Sequence, residues 1–177
     1  MSEDSMPLRR SLSVGLEDAV LQGELALPGG AEGLVLFAHG SGSSRFSPRN
    51  RQVARFFNDL GLATLLLDLL TADEQAVDEL TREYRFDIPR LARRLTAVVD
   101  WVGQDESLQE LSIGLFGAST GAAAALICAA QRPHAVAAVV SRGGRSDLAG
   151  VALGKVRAPT LLIVGGEERE VLALNRQ

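Results

Sequence analysis

Five near-continuous apolar runs constrain the fold of this chain more than any other feature. They are GLVLFAHG (33–40), LATLLLD (62–68), LSIGLFG (111–117), AVAAVVS (135–141) and TLLIVGG (160–166). Strands buried on both faces read this way, because in a parallel sheet helices cover each side and neither face meets water. Ahead of them, SLSVGLEDAVLQGELALP alternates, with Leu12, Val14 and Leu16, then Leu21, Gly23, Leu25 and Leu27, broken at EDA. That period of two predicts an antiparallel hairpin with one wet face.

Helical patterns with their own punctuation lie between the apolar runs. SPRNRQVARFFNDLG offers Ser47 as N-cap, Pro48 at the first helical position and Gly61 as the stop. DIPRLARRLTAVVDWV sets Ile88, Leu91, Leu95, Val98, Val99 and Val102 on one stripe behind a capping Asp87. STGAAAALICAAQRP is alanine-rich and ends at Pro133. The acidic TADEQAVDELTREYRF (71–86) is partly helical and reads as a solvated surface helix or as a short cap. Strand and helix alternate, so the expected class is α/β with right-handed crossovers, a mostly parallel twisted sheet between helical layers. With 177 residues and no linker or repeat, one domain over 1–177 is expected.

Composition excludes several functions. The formal charge is −4, against the basic face that a nucleic-acid or anionic-membrane binder normally carries. No apolar run approaches the roughly 18 residues that span a bilayer, and MSEDSMPLRRSLSV lacks a segment of signal-peptide length, so a cytoplasmic protein is expected. The single cysteine, Cys128, sits among alanines and reads as a small core residue. No Cys/His cluster has metal-ligand spacing and no G-x-x-x-x-G-K run is present, so neither a metal nor a nucleotide cofactor is expected.

Gly117-Ala118-Ser119-Thr120-Gly121 fits the G-x-S-x-G nucleophile elbow, with an apolar strand before the serine and a helix after it. Such a turn strains the serine backbone and leaves no room for side chains at the two glycines. The serine then stands at a helix N-terminus, where N–H groups favour developing negative charge. The plain alternative is a crowded helix–sheet crossing built of small residues. A second motif, LFAHGSGSSR, ends a strand with His39-Gly40-Ser41-Gly42. A glycine-rich turn there aims a backbone N–H at a substrate carbonyl oxygen; Ser41 and Thr120 are the expected oxyanion donors.

Together LFAHGSGSSR, SPRNRQVA, ATLLLDLLT, RFDI, IGLFGASTGAAAAL, VVSRGGRSDLAG and APTLLIVGG resemble the dienelactone-hydrolase-like branch of the α/β-hydrolases, over nearly the whole chain. The resemblance implies eight strands in the order 1-2-4-3-5-6-7-8, of which seven are counted here, with the nucleophile after strand five. It implies a hydrolase of a carboxylic ester or lactone, a small-molecule substrate and no nucleic-acid or membrane partner. The characterised family members use cysteine at the elbow, whereas Ser119 points to esterase-like chemistry through an acyl-enzyme. Some members are fused to a phosphoribosyltransferase domain, which nothing in this sequence matches.

The resemblance places the triad acid at Glu168, with Glu167, Glu170 and, after strand six, Asp147 as alternatives. The base is harder to find, since the chain has two histidines. His134, between a helix and a strand, lies at the sheet end opposite the elbow. His39 lies at the right edge but precedes Ser119, which breaks the family order; it reads as an anchor of the oxyanion loop or as a contact to substrate, with the general-base role as the alternative. The family histidine follows strand eight, so the expectation is a C-terminally incomplete domain, weak or inactive as a hydrolase, or else a non-catalytic binding or regulatory module. Arg45, Arg49, Arg51, Arg142 and Arg145 fall on the active-site edge, either as a solvated rim or holding a substrate carboxylate or phosphate; Arg45 and Arg142 are the leading candidates. Trp101 and Phe86 read as packing.

Overall fold

A computed structural model describes residues 6–177, and the expected hairpin opens it. Strand β1 (Leu8–Gly15) pairs antiparallel with β2 (Val20–Leu27), in register from Leu8↔Leu27 to Gly15↔Val20. Val14, Leu21 and Leu25 are buried while Ser13, Val20 and Gln22 beside them are exposed, and the alternation ends at Ala26, which is also buried. The first four apolar runs become β3 (Gly33–Ala38), β4 (Ala63–Leu67), β5 (Ser112–Ala118) and β6 (Val136–Arg142). The last run shortens to β7 (Thr160–Ile163). All seven strands form one sheet in the order β1-β2-β4-β3-β5-β6-β7, antiparallel through β1, β2 and β4 and parallel from β4 to β7.

The pleat divides the core into two layers. One face of the sheet, with Leu34, Leu36, Leu65, Leu67, Ile113 and Leu115, packs on helices α3 (Ile88–Val102) and α4 (Thr120–Gln131). The stripe expected on α3 is buried at all six positions, and each such side chain contributes about 1.5–3 kcal/mol relative to exposure. Helix α4 is apolar all round and nearly all buried, and its alanines let it lie close to the strands. Cys128 is fully buried there, and burial pushes its thiol up to about 11, so it is a core residue without thiolate character. The opposite face carries a smaller cluster of Phe37, Leu66, Phe116 and Ala54, the last from α1 (Pro48–Asp59). Ser47 caps α1 by accepting from the Asn50 N–H, with Pro48 in the first turn, and Gly61 turns the chain at φ +84°.

The acidic segment is a surface helix, α2 (Ala72–Thr81), closed by a capping box. The Thr71 hydroxyl accepts from the Glu74 N–H (3.2 Å) and the Glu74 carboxylate accepts from the Thr71 N–H (2.9 Å). One expectation fails at the far edge. TLLIVGG reads as a strand covered on both faces, yet every residue of β7 is exposed, Leu161 to 57%. β7 is the edge of the sheet, and the six-residue α5 (Arg169–Leu174) beside it buries none of its residues. Apolar content alone therefore does not distinguish a covered strand from an open one.

Candidate active site

Ser119 joins β5 to α4 with φ 52° and ψ −120°, one of two non-glycine residues at positive φ among those described. An L-residue occupies that region only where its surroundings hold it there. The glycines show what holds it. A Cβ on Gly117 would lie 2.5 Å from the Ala122 Cα, and one on Gly121 would collide with the carbonyl oxygens of Ala38 and His39. The elbow is thus wedged between α4 and the end of β3. Backbone hydrogen bonds complete it: the Ser119 N–H donates to the Arg142 carbonyl (3.3 Å), and the Ser119 carbonyl accepts from Ala122 and Arg145 (both 3.1 Å).

The glycine-rich turn lies against this elbow. A Cβ on Gly40 would stand 3.1 Å from the Ser119 Cβ. The hydroxyls of Ser41 and Thr120 lie 3.0 Å apart, and the Ser41 hydroxyl also donates to the Arg85 carbonyl (3.3 Å). Both residues expected to supply oxyanion donors therefore meet beside Ser119. As the first residue of α4, Thr120 has no acceptor within the helix for its own N–H.

His39 occupies a different role from two of those considered. Its Nδ1–H donates to the Gly40 carbonyl (2.9 Å), and its Nε2 accepts from the Leu69 N–H (3.0 Å). With both ring nitrogens committed to backbone, it has none left for a substrate or for a serine proton. Burial also lowers its affinity for a proton. It ties the Gly40 turn to the segment after β4. His134 is exposed in the loop before β6, at the other end of the sheet.

Arg45 is engaged as well. Its N–H and guanidinium both bind the Asp68 carboxylate, and the guanidinium stacks 4.2 Å over Phe46, so the side chain is already spoken for. Arg142 is different. It donates to the Asn50 side-chain oxygen (2.7 Å) and lies 5.3 Å over the Phe116 ring, but meets no carboxylate. Burial, and then the charge of Arg49, make its guanidinium less ready to hold a proton than usual. Its backbone pairs with Ala118 at the end of β5, one residue before Ser119, and its half-buried guanidinium has no carboxylate partner among the described residues. Asn50 gave no signal in the sequence, because its role depends on a residue 92 positions away.

Among the acids, Asp147 is taken in a two-point pair with Arg145 (2.9 Å each). The Glu168 carboxylate is exposed and lies over Gly143 and Gly165, at the ends of β6 and β7, with no hydrogen-bond partner among the described residues. Among the described residues no group of three His, Cys, Asp or Glu side chains is placed to hold a metal ion. No helix among them is long and apolar enough to cross a membrane.

A serine elbow between strand five and its helix, on a sheet of this order, defines an α/β-hydrolase. No protein-family model matches the chain, but solved structures narrow the class. Dienelactone hydrolase from Anabaena variabilis is 56% identical, superposes with a TM-score of 0.95, and aligns over 97% of this chain and 79% of its own. The chain belongs to the dienelactone hydrolase family. A serine hydrolase homologue from Coxiella burnetii, 18% identical over 95% of this chain and 81% of its own with a TM-score of 0.73, shares the fold. Two proteins from Mycobacterium tuberculosis strains, named for phosphoribosyl transfer, are 54% identical over 88% of this chain. The chain spans 34% of their length.

Proposed function

We propose that the chain carries the nucleophile and oxyanion half of a serine hydrolase acting on a carboxylic ester or lactone. The observation that supports this best is the strained Ser119 backbone, which costs on the order of 1–3 kcal/mol to hold. Ser119 attacks the acyl carbon, the N–H groups of Ser41 and Thr120 receive the oxyanion, and Glu168 orients an imidazole. Neither histidine of the chain fills that last place, and loss of the histidine alone costs about a millionfold in a serine protease. The chain by itself therefore hydrolyses esters weakly.

That weakness gives the test. With a short-chain aryl ester, added imidazole is expected to raise the rate of the chain well above the rate with Ser119→Ala, which shows only the background reaction of imidazole. Equal rates for the two proteins at every imidazole concentration would refute the proposal. They would support the second reading, a non-catalytic hydrolase-fold module, which the commitment of both His39 nitrogens favours.

Arg142 points to an acid-bearing substrate, since a charged hydrogen bond is worth about 1.5–3 kcal/mol. Arg142→Gln is expected to lower kcat/KM for an ester carrying a carboxylate by about tenfold or more, and to leave a neutral ester of similar size unchanged. Equal loss for both would assign Arg142 to structure.

A further inference from the structure

We propose that the trough between α1 and the N-terminal hairpin is a binding site for a phosphate-bearing small molecule, separate from Ser119. The sheet builds it. The register aligns Arg9 with Ala26 and Ser11 with Glu24 across β1 and β2, and Ala26 with Thr64 and Glu24 with Leu66 across β2 and β4. By the pleat these six residues share one face, the face on which α1 lies over β3 and β4. Helix α1 stops short of the hairpin, so this part of the face stays open as a concavity of about 250 Å³. Its other wall is the i, i+3, i+4 stripe of Arg51, Ala54 and Arg55.

Charge gives the trough its chemistry. Three guanidiniums, Arg9, Arg51 and Arg55, converge there against one acid, Glu24, in a chain whose net charge is −4. Glu24 is consumed by Arg51, whose Nη2 donates to both carboxylate oxygens (3.0 and 3.1 Å). The Arg51 Nε is buried without a partner, and a buried N–H of that kind costs about 1–3 kcal/mol until an acceptor reaches it. Arg9 and Arg55 are exposed and make no ion pair or hydrogen bond among the described residues. Arg10, the next residue of β1, points elsewhere and donates to Ser107.

The excess of two positive charges selects the ligand class. A phosphate monoester carries about −1.5 to −2 at neutral pH with three acceptor oxygens, which suits two open guanidinium forks better than one carboxylate does. Ala26, Ala54 and Leu66 give an apolar floor for the body of the molecule. The net negative charge of the chain disfavours a long polyanion.

Calorimetric titration with phenyl phosphate at fixed ionic strength tests this. Saturable binding is expected, weakened at least tenfold in Arg9→Gln/Arg55→Gln and unchanged in Arg157→Gln, an exposed arginine outside the trough. Both exchanged arginines are exposed, so the double variant is expected to keep its melting temperature, and Ser11→Asp, which adds a negative charge at the same site, is expected to weaken binding as strongly. Absence of saturation, or wild-type affinity in the double variant, would overturn the site. Loss of binding in Arg142→Gln would place the anion at Arg142 instead, and equal affinity for benzoate would overturn the phosphate assignment. None of these outcomes depends on whether Ser119 is a nucleophile.

Discussion

Replacing Arg94 by methionine is expected to lower folding stability by about 3 kcal/mol, a fall of roughly 10 °C in Tm for a chain of this size. Arg94 is 1% exposed, yet it lies on the buried side of α3. Its guanidinium donates to Glu74 (2.6 and 2.8 Å), to Asp18 (3.2 Å) and to the Leu69 carbonyl (2.9 Å). It thereby ties α3 to the start of α2, to the hairpin turn and to the segment after β4. Leu69 in turn gives its N–H to His39, so the same knot steadies the Gly40 turn. Methionine fills much of the space but removes the two shortest hydrogen bonds to Glu74, which keeps only the Thr71 N–H and Arg90 (3.3 Å), and leaves the Leu69 carbonyl without its guanidinium donor.

Acid should expose the same contact. Hydrogen bonds from Arg94, opposed by burial, hold the Glu74 carboxyl at about 2, below its ordinary 4.5. A depressed carboxylate stabilises the fold fully above its unfolded value, and that contribution is lost as pH falls from about 4.5 to about 2. Chemical denaturation of the wild type is therefore expected to show a falling acid limb in that window, and Arg94→Met a flatter one. Parallel limbs in the two proteins would show that Arg94 does not set the Glu74 titration.

The second large effect is expected from Gly121→Ala. Its new methyl would collide with the carbonyl oxygens of Ala38 and His39, which are backbone atoms and cannot rotate away. Either α4 moves off β3 or the turn at Gly40 shifts. Overpacking of this kind costs about 3 kcal/mol or more when backbone is the obstacle. The same displacement separates Ser41 from Thr120, so Ser119 chemistry should fall further than stability alone explains. Gly154→Ala is the control, because nothing lies within 4 Å of a Cβ there. A thermal melt of Gly121→Ala equal to that of Gly154→Ala would contradict the wedged elbow.

These two residues mark how far the sequence could be read. Gly121 was legible, since the spacing of small residues around Ser119, with a strand before and a helix after, is a local pattern. Arg94 was not. The stripe from Ile88 to Val102 runs past it, but its partners Glu74 and Asp18 lie 20 and 76 residues away, and no local period reveals them. Arg45 shows the same limit, since its partner Asp68 lies 23 residues on. His39 was placed at the right edge, yet only the N–H of Leu69 shows that its second nitrogen is taken.

The most direct test of the hydrolase reading is covalent. Treating the chain with a fluorophosphonate in the presence of imidazole, then digesting it and mapping the adduct by mass spectrometry, is expected to find one phosphonyl group on Ser119 and none in Ser119→Ala. An adduct at another residue, or none at any imidazole concentration, would contradict the assignment of Ser119 as the nucleophile.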